Sequence, residues 1–202
     1  MGTQTQTECG PETAVQPGQD GDRRGASRFT LLIRTAKLVA DEREFLCVIR
    51  DVSSKGLKLR LYNAIPAGVP LILELANGDR FAVTQAWERD GFAGFRFDEA
   101  VSLDRLLDAQ KGPYPNRKLR LRRRICGRLF WESESREATV ENISQQGAAI
   151  ECDAFLALDQ LVRLECAQLR PVYAKVRWRR QPSYGLIFEE TLAFDDLVAL
   201  PE

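Results

Sequence analysis

Side chains of the same type recur along this chain at a fixed separation of 91 residues. The pairs are Leu38 and Leu129, Trp87 and Trp178, Gly94 and Gly185, Phe97 and Phe188, and Leu107 and Val198. Five matches without a gap indicate an internal duplication, and 202 residues are enough for two small domains. We interpret the repeated tryptophans, phenylalanines and glycines as core and turn residues of each copy.

Each copy contains short apolar runs separated by turn residues. In the first copy the predicted strands span 29–39, 45–49, 57–61, 71–75, 81–87 and 94–97, and an amphipathic helix follows at 101–110. The fold prediction is therefore all-β with short helices, as two tandem six-stranded antiparallel β-barrels, each closed by a C-terminal helix. The predicted divisions are a disordered tail (1–22), domain 1 (23–110), a linker (111–116) and domain 2 (117–202).

Composition argues against several classes of function. The chain has no net charge and no histidine, so we expect neither nucleic-acid binding nor catalysis, and no metal site. The cysteines are Cys9, Cys47, Cys126, Cys152 and Cys166. Because they are widely spaced, we interpret them as buried thiols of a cytoplasmic protein. No apolar run is long enough for membrane insertion.

One polar motif occurs in both copies. It consists of Asp51, Ser53 and Gly56 in the first, and its counterpart in the second consists of Asn142, Ser144 and Gly147. The simplest interpretation is a turn that joins two strands, with Gly56 at positive φ. The alternative is that the turn also holds a ligand.

Arginines upstream of the first motif favour a ligand. Arg23, Arg24 and Arg28 precede the first predicted strand. Guanidinium groups bind phosphate, stack on aromatic faces and pair with the N7/O6 edge of guanine. The carboxylate of Asp51 can accept hydrogen bonds from the other edge, and Gly56 allows a base to approach the backbone. These residues together describe a guanine-nucleotide site without phosphate-transfer groups.

The pattern Arg24-x-x-x-Arg28 followed by Asp51-x-Ser53-x-x-Gly56 resembles the PilZ domain family, well over 23–110 and in part over 117–200. The resemblance implies a bacterial barrel that binds the second messenger cyclic di-GMP and needs no cofactor. It implies that Arg24 and Arg28 fold over the ligand while Asp51, Ser53 and Gly56 cradle guanine. Arg23 is a candidate contact to a second stacked ligand molecule, and the stoichiometry stays open.

The second copy departs from this pattern. By the 91-residue spacing, Pro115 and Leu119 replace the two arginines. Six basic residues occur instead within 117–124. They are Arg117, Lys118, Arg120, Arg122, Arg123 and Arg124. We interpret this copy as degenerate and as a docking or partner surface.

These residues leave two candidate functions. The first is a non-enzymatic cyclic di-GMP receptor that binds through domain 1 and changes its contacts with domain 2 or with a protein partner of unknown identity. The alternative is a ligand-independent adaptor of the same fold that acts through protein contacts. The downstream pathway is not encoded in these motifs.

Overall fold

The computed structural model describes residues 29–107 and 119–201. Residues 29–97 form the first barrel. Its elements are β1 (Phe29–Ala40), β2 (Arg43–Ser53), β3 (Gly56–Leu61), β4 (Leu71–Leu75), β5 (Arg80–Arg89), β6 (Phe92–Phe97) and, after the barrel, α1 (Leu103–Leu107). The strands close in the order β1-β2-β3-β6-β5-β4, and every neighbouring pair is antiparallel.

Residues 121–198 repeat this arrangement. The elements are β7 (Leu121–Trp131), β8 (Glu134–Ser144), β9 (Gly147–Cys152), β10 (Leu161–Cys166), β11 (Leu169–Arg180), β12 (Ser183–Phe188) and α2 (Phe194–Val198). This sheet closes in the equivalent order. The bounds of β8, β9, β12 and α2 are those of β2, β3, β6 and α1 shifted by 91 residues. The prediction of two closed six-stranded barrels with short C-terminal helices is confirmed.

The division of the chain is tested only in part. The predicted tail (1–22) and linker (111–116) lie outside the described residues, so these boundaries stay predictions. Within the described parts of the chain, no helix is long and apolar enough to span a membrane.

Each barrel encloses its own apolar core. Leu38, Leu59 and Leu73 are fully buried in the first, as are Leu129 and Leu164 in the second. Alternation along the strands places these side chains inside, because successive side chains of a strand point to opposite faces. The prediction that the repeated phenylalanines at 97 and 188 belong to the cores is confirmed.

The repeated tryptophans are not core residues, and that part of the prediction is wrong. Phe81 and Val83 of β5 point inward, and strict alternation would also direct Trp87 into the barrel. A register shift between Gln85 and Trp87 interrupts the alternation, and the Trp87 side chain is 47% exposed. β11 has the same irregularity before Trp178.

The prediction that the cysteines are buried is confirmed for two of the four described thiols. Cys47 and Cys152 are buried, Cys166 is partly buried, and Cys126 is exposed, against expectation. Cys126 occupies one of the solvent-facing positions of β7, along which buried and exposed residues alternate. All four are free thiols. Burial raises the pKa of the Cys47, Cys152 and Cys166 thiols, with Asp153 adding to the effect at Cys152.

The two barrels share an apolar contact. Leu46 of β2 is 3% exposed, and it packs with the core of the second barrel rather than the first. Beside it, the ring of Tyr62 meets the ring of Phe194 edge-on, with centroids 5.0 Å apart. These contacts join β2 and the loop after β3 to β7 and α2.

A buried polar network accompanies this contact. The Nζ atom of Lys37 lies 2.9 Å from Glu44 and 3.0 Å from Glu74, and it donates a hydrogen bond to the backbone carbonyl of Arg120. The backbone N–H of Arg122 donates to the Glu44 carboxylate at 2.7 Å. Arg123, which is 7% exposed, donates to the Glu44 carbonyl. Part of the basic segment therefore docks on the first barrel.

Candidate functional site

The polar motif of the first barrel is a two-residue hairpin. Asp51 and Ser53 belong to β2, Gly56 begins β3, and only Ser54 and Lys55 connect the strands. The carbonyl of Lys55 accepts a hydrogen bond from Phe97 at the end of β6, and the carbonyl of Ser54 accepts one from Val101 after the barrel. Backbone hydrogen bonds thus hold the hairpin both along its two strands and at its turn.

The Ser53 hydroxyl has a structural partner. Its Oγ atom donates to the carbonyl of Gly56 at 3.1 Å and accepts from the N–H of Lys55 at 3.4 Å. In the second barrel, Ser144 donates to the carbonyl of Gly147 at the same distance. A hydroxyl that satisfies its own hairpin explains its presence in both copies without a ligand.

Gly56 is required by a close approach of strands, and the expectation of a positive φ is wrong. Gly56 is not among the residues at positive φ. A Cβ atom there would lie 2.4 Å from the carbonyl oxygen of Phe95 on β6. At Gly147 the corresponding distance to the Leu186 oxygen is 2.2 Å. Both barrels therefore need glycine at this position to pair the strands.

A row of paired residues crosses the outside of the first barrel at this hairpin. Asp51 of β2 pairs with Lys58 of β3, Lys58 pairs with Gly94 of β6, and Gly94 pairs with Trp87 of β5. The indole of Trp87 packs over Gly94, where a Cβ would come within 2.0 Å of its Nε1 atom. The glycine lets the tryptophan lie beside the hairpin.

These residues line an open cleft of about 450 Å³. Its charged side chains are Asp51, Lys55, Lys58 and Arg96. The lining thus combines one carboxylate and three cations with the face of an exposed indole. Such a lining suits an anionic ligand that also contains an aromatic ring.

The second barrel has the same backbone at this place but different charges. The substitutions, from first to second barrel, are Asp51 to Asn142, Lys55 to Gln146, Lys58 to Ala149 and Arg96 to Ile187. All four charged groups of the cleft are lost, while Trp178 still lies over Gly185. One cation, Arg177, replaces Ala86 at the edge. The charged cleft therefore distinguishes the first barrel from the second.

The three candidate arginines, Arg23, Arg24 and Arg28, lie outside the described residues, and their roles stay predictions. The chain enters β1 at Phe29, which pairs with Val52, and Thr30 pairs with Asp51. The entry of the chain into the barrel is therefore next to the candidate carboxylate.

The second arginine cluster has two separate roles in the described residues. The guanidinium of Arg120 donates to the side-chain oxygen of Asn142 at 2.7 Å. Arg122 and Arg124 are exposed on β7, whereas Arg123 points into the contact between the barrels. Part of the basic segment therefore takes part in a contact within the chain, while the interpretation of the second copy as a docking or partner surface stays a prediction. Arg117 and Lys118 lie outside the described residues.

The sequence motifs do not single out four residues that line the cleft: Lys55, Lys58, Trp87 and Arg96. Trp87 belongs to a repeated Trp-x6-Gly spacing, a pattern that by itself is typical of packing residues. The three cations had a signal only in the comparison of the copies, because each is replaced by a neutral residue 91 positions later. No group of three potential metal ligands occurs in the described residues.

The fold and the cleft define an all-β protein of two closed barrels with a charged recess beside one hairpin. Residues 116–200, which include the second barrel, match the family model described as PilZ domain. The match falls on the copy that was expected to depart further from that family, and it leaves the motif of the first barrel untested.

Several solved structures are similar to the chain. Borreliella burgdorferi PlzA in complex with c-di-GMP is 10% identical, with 83% of this chain and 86% of that chain covered and a TM-score of 0.35. The Bacillus subtilis inhibitor of motility (MotI/DgrA) is 14% identical, with coverage of 85% and 94% and a TM-score of 0.36. YcgR from Escherichia coli in complex with c-di-GMP is 10% identical, with coverage of 79% and 76% and a TM-score of 0.29. No curated protein sequence matches the chain.

Proposed function

We propose that this chain is a receptor for cyclic di-GMP that binds the dinucleotide in the cleft of the first barrel. The observation that carries the proposal is the charged lining around Trp87, which the second barrel lacks at the same backbone positions. The PilZ match to residues 116–200 supports the ligand class.

The lining chemistry suits the two parts of such a ligand. The carboxylate of Asp51 accepts hydrogen bonds from the N1–H and amino group of a guanine. The indole of Trp87 offers a face on which a base stacks. The cations of Lys55, Lys58 and Arg96 neutralise the phosphates, with Arg96 presenting a fork that matches phosphate oxygens.

The arginines before β1 complete the proposed site. Arg28 immediately precedes Phe29, whose partner Val52 is adjacent to Asp51. Arg24 and Arg28 would close over the phosphates and guanine faces, with Arg23 available to a second ligand molecule. In this proposal, ligand binding would bring residues 23–28 onto the first barrel and so change the surface that it offers to its surroundings.

Binding needs no catalytic group in this scheme, and the chain acts as a non-enzymatic receptor without a cofactor. The adaptor alternative has one observation in its favour. Ser53 and Gly56 have hairpin roles that the second barrel retains, so their presence does not require a ligand.

Calorimetric titration of the full chain with cyclic di-GMP tests the proposal and reads the molar ratio. We expect micromolar or tighter binding, lost in Arg28→Ala and weakened in Asp51→Asn, Lys58→Ala and Arg96→Ile, three changes that install the residues of the second barrel. Arg177→Ala, at the equivalent edge of the second barrel, is the matched control and should bind as wild type. Absence of heat with the wild-type chain would favour the adaptor.

A further inference from the structure

Exposed apolar side chains are concentrated on one barrel. Eight large hydrophobic residues are exposed among the described residues, and six of them belong to the second barrel. The six are Phe155, Leu158, Leu161, Tyr173, Trp178 and Ile187, with exposed fractions from 42% to 68%. Singly exposed apolar residues are ordinary, but a contiguous group marks an interaction site.

Strand pairing places four of the six on one outer face of the barrel, where Lys175 lies between Leu161 and Ile187. Leu161 of β10 pairs with Lys175 of β11, and Lys175 pairs with Ile187 of β12, so the three lie side by side. Tyr173 is on the same face of β11, two residues before Lys175. Trp178 lies over Gly185, two residues before Ile187 on the same face of β12.

The loop before β10 adds the other two residues. Its backbone bonds to β11, where the N–H of Asp159 donates to the carbonyl of Val176 at 2.8 Å. This contact places Leu158 next to β11. Phe155 lies under the guanidinium of Arg179, which is 4.8 Å from its ring centroid. We call the surface formed by these six side chains the β10–β12 face.

The fold itself does not require five of these six apolar residues, whereas the sixth, Trp178, has an exposed counterpart in Trp87. At the equivalent outer positions the first barrel has Ala64, Ala67, Pro70, Ala82 and Arg96, and all five are exposed. The same strands and the same loop thus form with small or charged residues at these positions. These five large apolar side chains are therefore not needed to form the barrel.

Positive charge borders the β10–β12 face. Residues 169–180 of β11 contain five basic residues and no acid. Arg177, Arg179 and Arg180 are exposed at the end near Trp178. Arg177 lies 3.8 Å from Asp159, but both side chains are at least 70% exposed, so this pair holds the guanidinium weakly. Tyrosine, tryptophan and arginine together are the composition of energetically important interface residues.

Closure of the barrel limits the way in which a partner can bind. β10, β11 and β12 each have hydrogen-bonded neighbours on both sides, so no free strand edge is available for an added strand. A partner must contact side chains. The aliphatic content, with Leu158, Leu161 and Ile187, suits a protein side-chain surface better than nucleic-acid bases, for which aromatic rings and cations suffice.

We propose that the β10–β12 face docks a helix of a partner protein whose apolar stripe is flanked by acidic side chains. The stripe would cover Tyr173, Trp178 and Ile187, while its carboxylates would pair with Arg177, Arg179 and Arg180. This surface is separate from the charged cleft of the first barrel, so the proposal stands independently of cyclic di-GMP binding.

Selection from a random library displayed on a helical scaffold, with the full chain immobilised, tests this proposal. We expect enriched helices with an apolar stripe and Asp or Glu beside it. Their synthetic peptides should bind the wild-type chain in fluorescence anisotropy. Tyr173→Ala and Ile187→Arg, each of which installs the residue of the first barrel, should weaken binding by about tenfold or more. Arg177→Ala should weaken it less and reduce its salt dependence.

Glu88→Arg is the matched control, because Glu88 occupies on β5 the position of Arg179 on β11. It should leave peptide binding unchanged. The proposal is overturned if no helix is enriched or if enriched helices are basic. It is also overturned if Tyr173→Ala and Ile187→Arg bind the peptides as wild type does. Three further results would assign a different occupant to this face and likewise overturn the proposal. They are self-association in sedimentation, binding to single-stranded DNA and binding to anionic vesicles, provided that Ile187→Arg abolishes the effect.

Discussion

The ammonium of Lys37 lies 2.9 Å from the carboxylate of Glu44, and both side chains are buried where the second barrel covers the first. The other oxygen of that carboxylate accepts the N–H of Arg122 from β7. Glu44 therefore links a cation of its own barrel to the backbone of the other. At the equivalent positions the second barrel has Arg128 and Ser135, so this junction is specific to one copy.

Replacement of Glu44 should destabilise the contact between the barrels. Glu44→Ala leaves Lys37 with the Glu74 carboxylate and the Arg120 carbonyl, and it leaves the N–H of Arg122 without its acceptor. Loss of one partner from a buried ion pair costs about 3–5 kcal/mol, and we expect the lower end because Glu74 remains. Urea unfolding measures the change. Ser135→Ala, the equivalent in the second barrel, should change stability by less than about 0.5 kcal/mol. An equal effect of the two substitutions would contradict the role of Glu44.

Trp87 and Trp178 should respond differently to ligand although their surroundings are alike. Each indole lies over a glycine and is nearly half exposed, but only Trp87 adjoins the charged cleft. Trp87→Ala should weaken cyclic di-GMP binding by about 1–3 kcal/mol, the contribution of one base stacked on an aromatic ring. Trp178→Ala should bind as wild type in the same calorimetric titration. Equal losses would place the ligand elsewhere.

Alanine at the hairpin glycines should destabilise both barrels. The new Cβ would lie 2.4 Å from a carbonyl oxygen at Gly56 and 2.2 Å at Gly147, so paired strands must separate. Overpacking of this kind costs about 1–3 kcal/mol. Thermal unfolding of Gly56→Ala and Gly147→Ala measures it. If Gly56→Ala abolished ligand binding at unchanged stability, the glycine would be a ligand contact and the structural explanation would be wrong.

The buried thiol of Cys47 should make stability depend on pH in alkaline solution. Burial raises the pKa of this thiol above the value of 9.0 expected for an exposed one. The unfolded chain therefore loses the Cys47 proton at a pH where the folded chain keeps it. Ionisation of this thiol leaves the free energy of unfolding unchanged below pH 9.0. Above pH 9.0 it lowers the free energy of unfolding, by at most about 1.4 kcal/mol per pH unit.

Cys47→Ala is the matched variant for this prediction, because the second barrel has the buried Ala138 at the same position. Urea unfolding at pH 8, 9 and 10 should show a shallower decline for the variant than for the wild type. Parallel declines would mean that other groups account for the alkaline dependence.

The strands were predictable because their signal is local. The alternation Leu57-Lys58-Leu59-Arg60-Leu61 predicted a half-buried strand, and β3 spans Gly56–Leu61. The side of the sheet on which Trp87 lies was not predictable. A single irregularity between Gln85 and Trp87 reverses its direction, and this irregularity depends on the pairing of β5 with β6.

The hairpin of the candidate site could be predicted from the sequence, but the other residues that line the cleft could not. Asp51, Ser53 and Gly56 form a recognisable pattern within six residues, and the structure places them at one hairpin. Arg96 and Trp87 reach the same cleft from strands that are more than 30 residues further along the chain. Their proximity results from strand pairing in the barrel, which places β6 beside β3 and β5 beside β6.

The sequence by itself determined that the chain forms the same barrel twice and where each hairpin lies, because period-two hydrophobicity and turn residues act over a few positions. Only the tertiary structure decided which side chains of the two copies meet. Glu44 and Arg122, 78 residues apart, are joined in one barrel contact. The charged cleft and the β10–β12 face arise from residues that pairing across strands brings together. These contacts form only when the strands close into barrels and the two barrels pack together. The spacing of residues along the chain does not show which side chains this brings together.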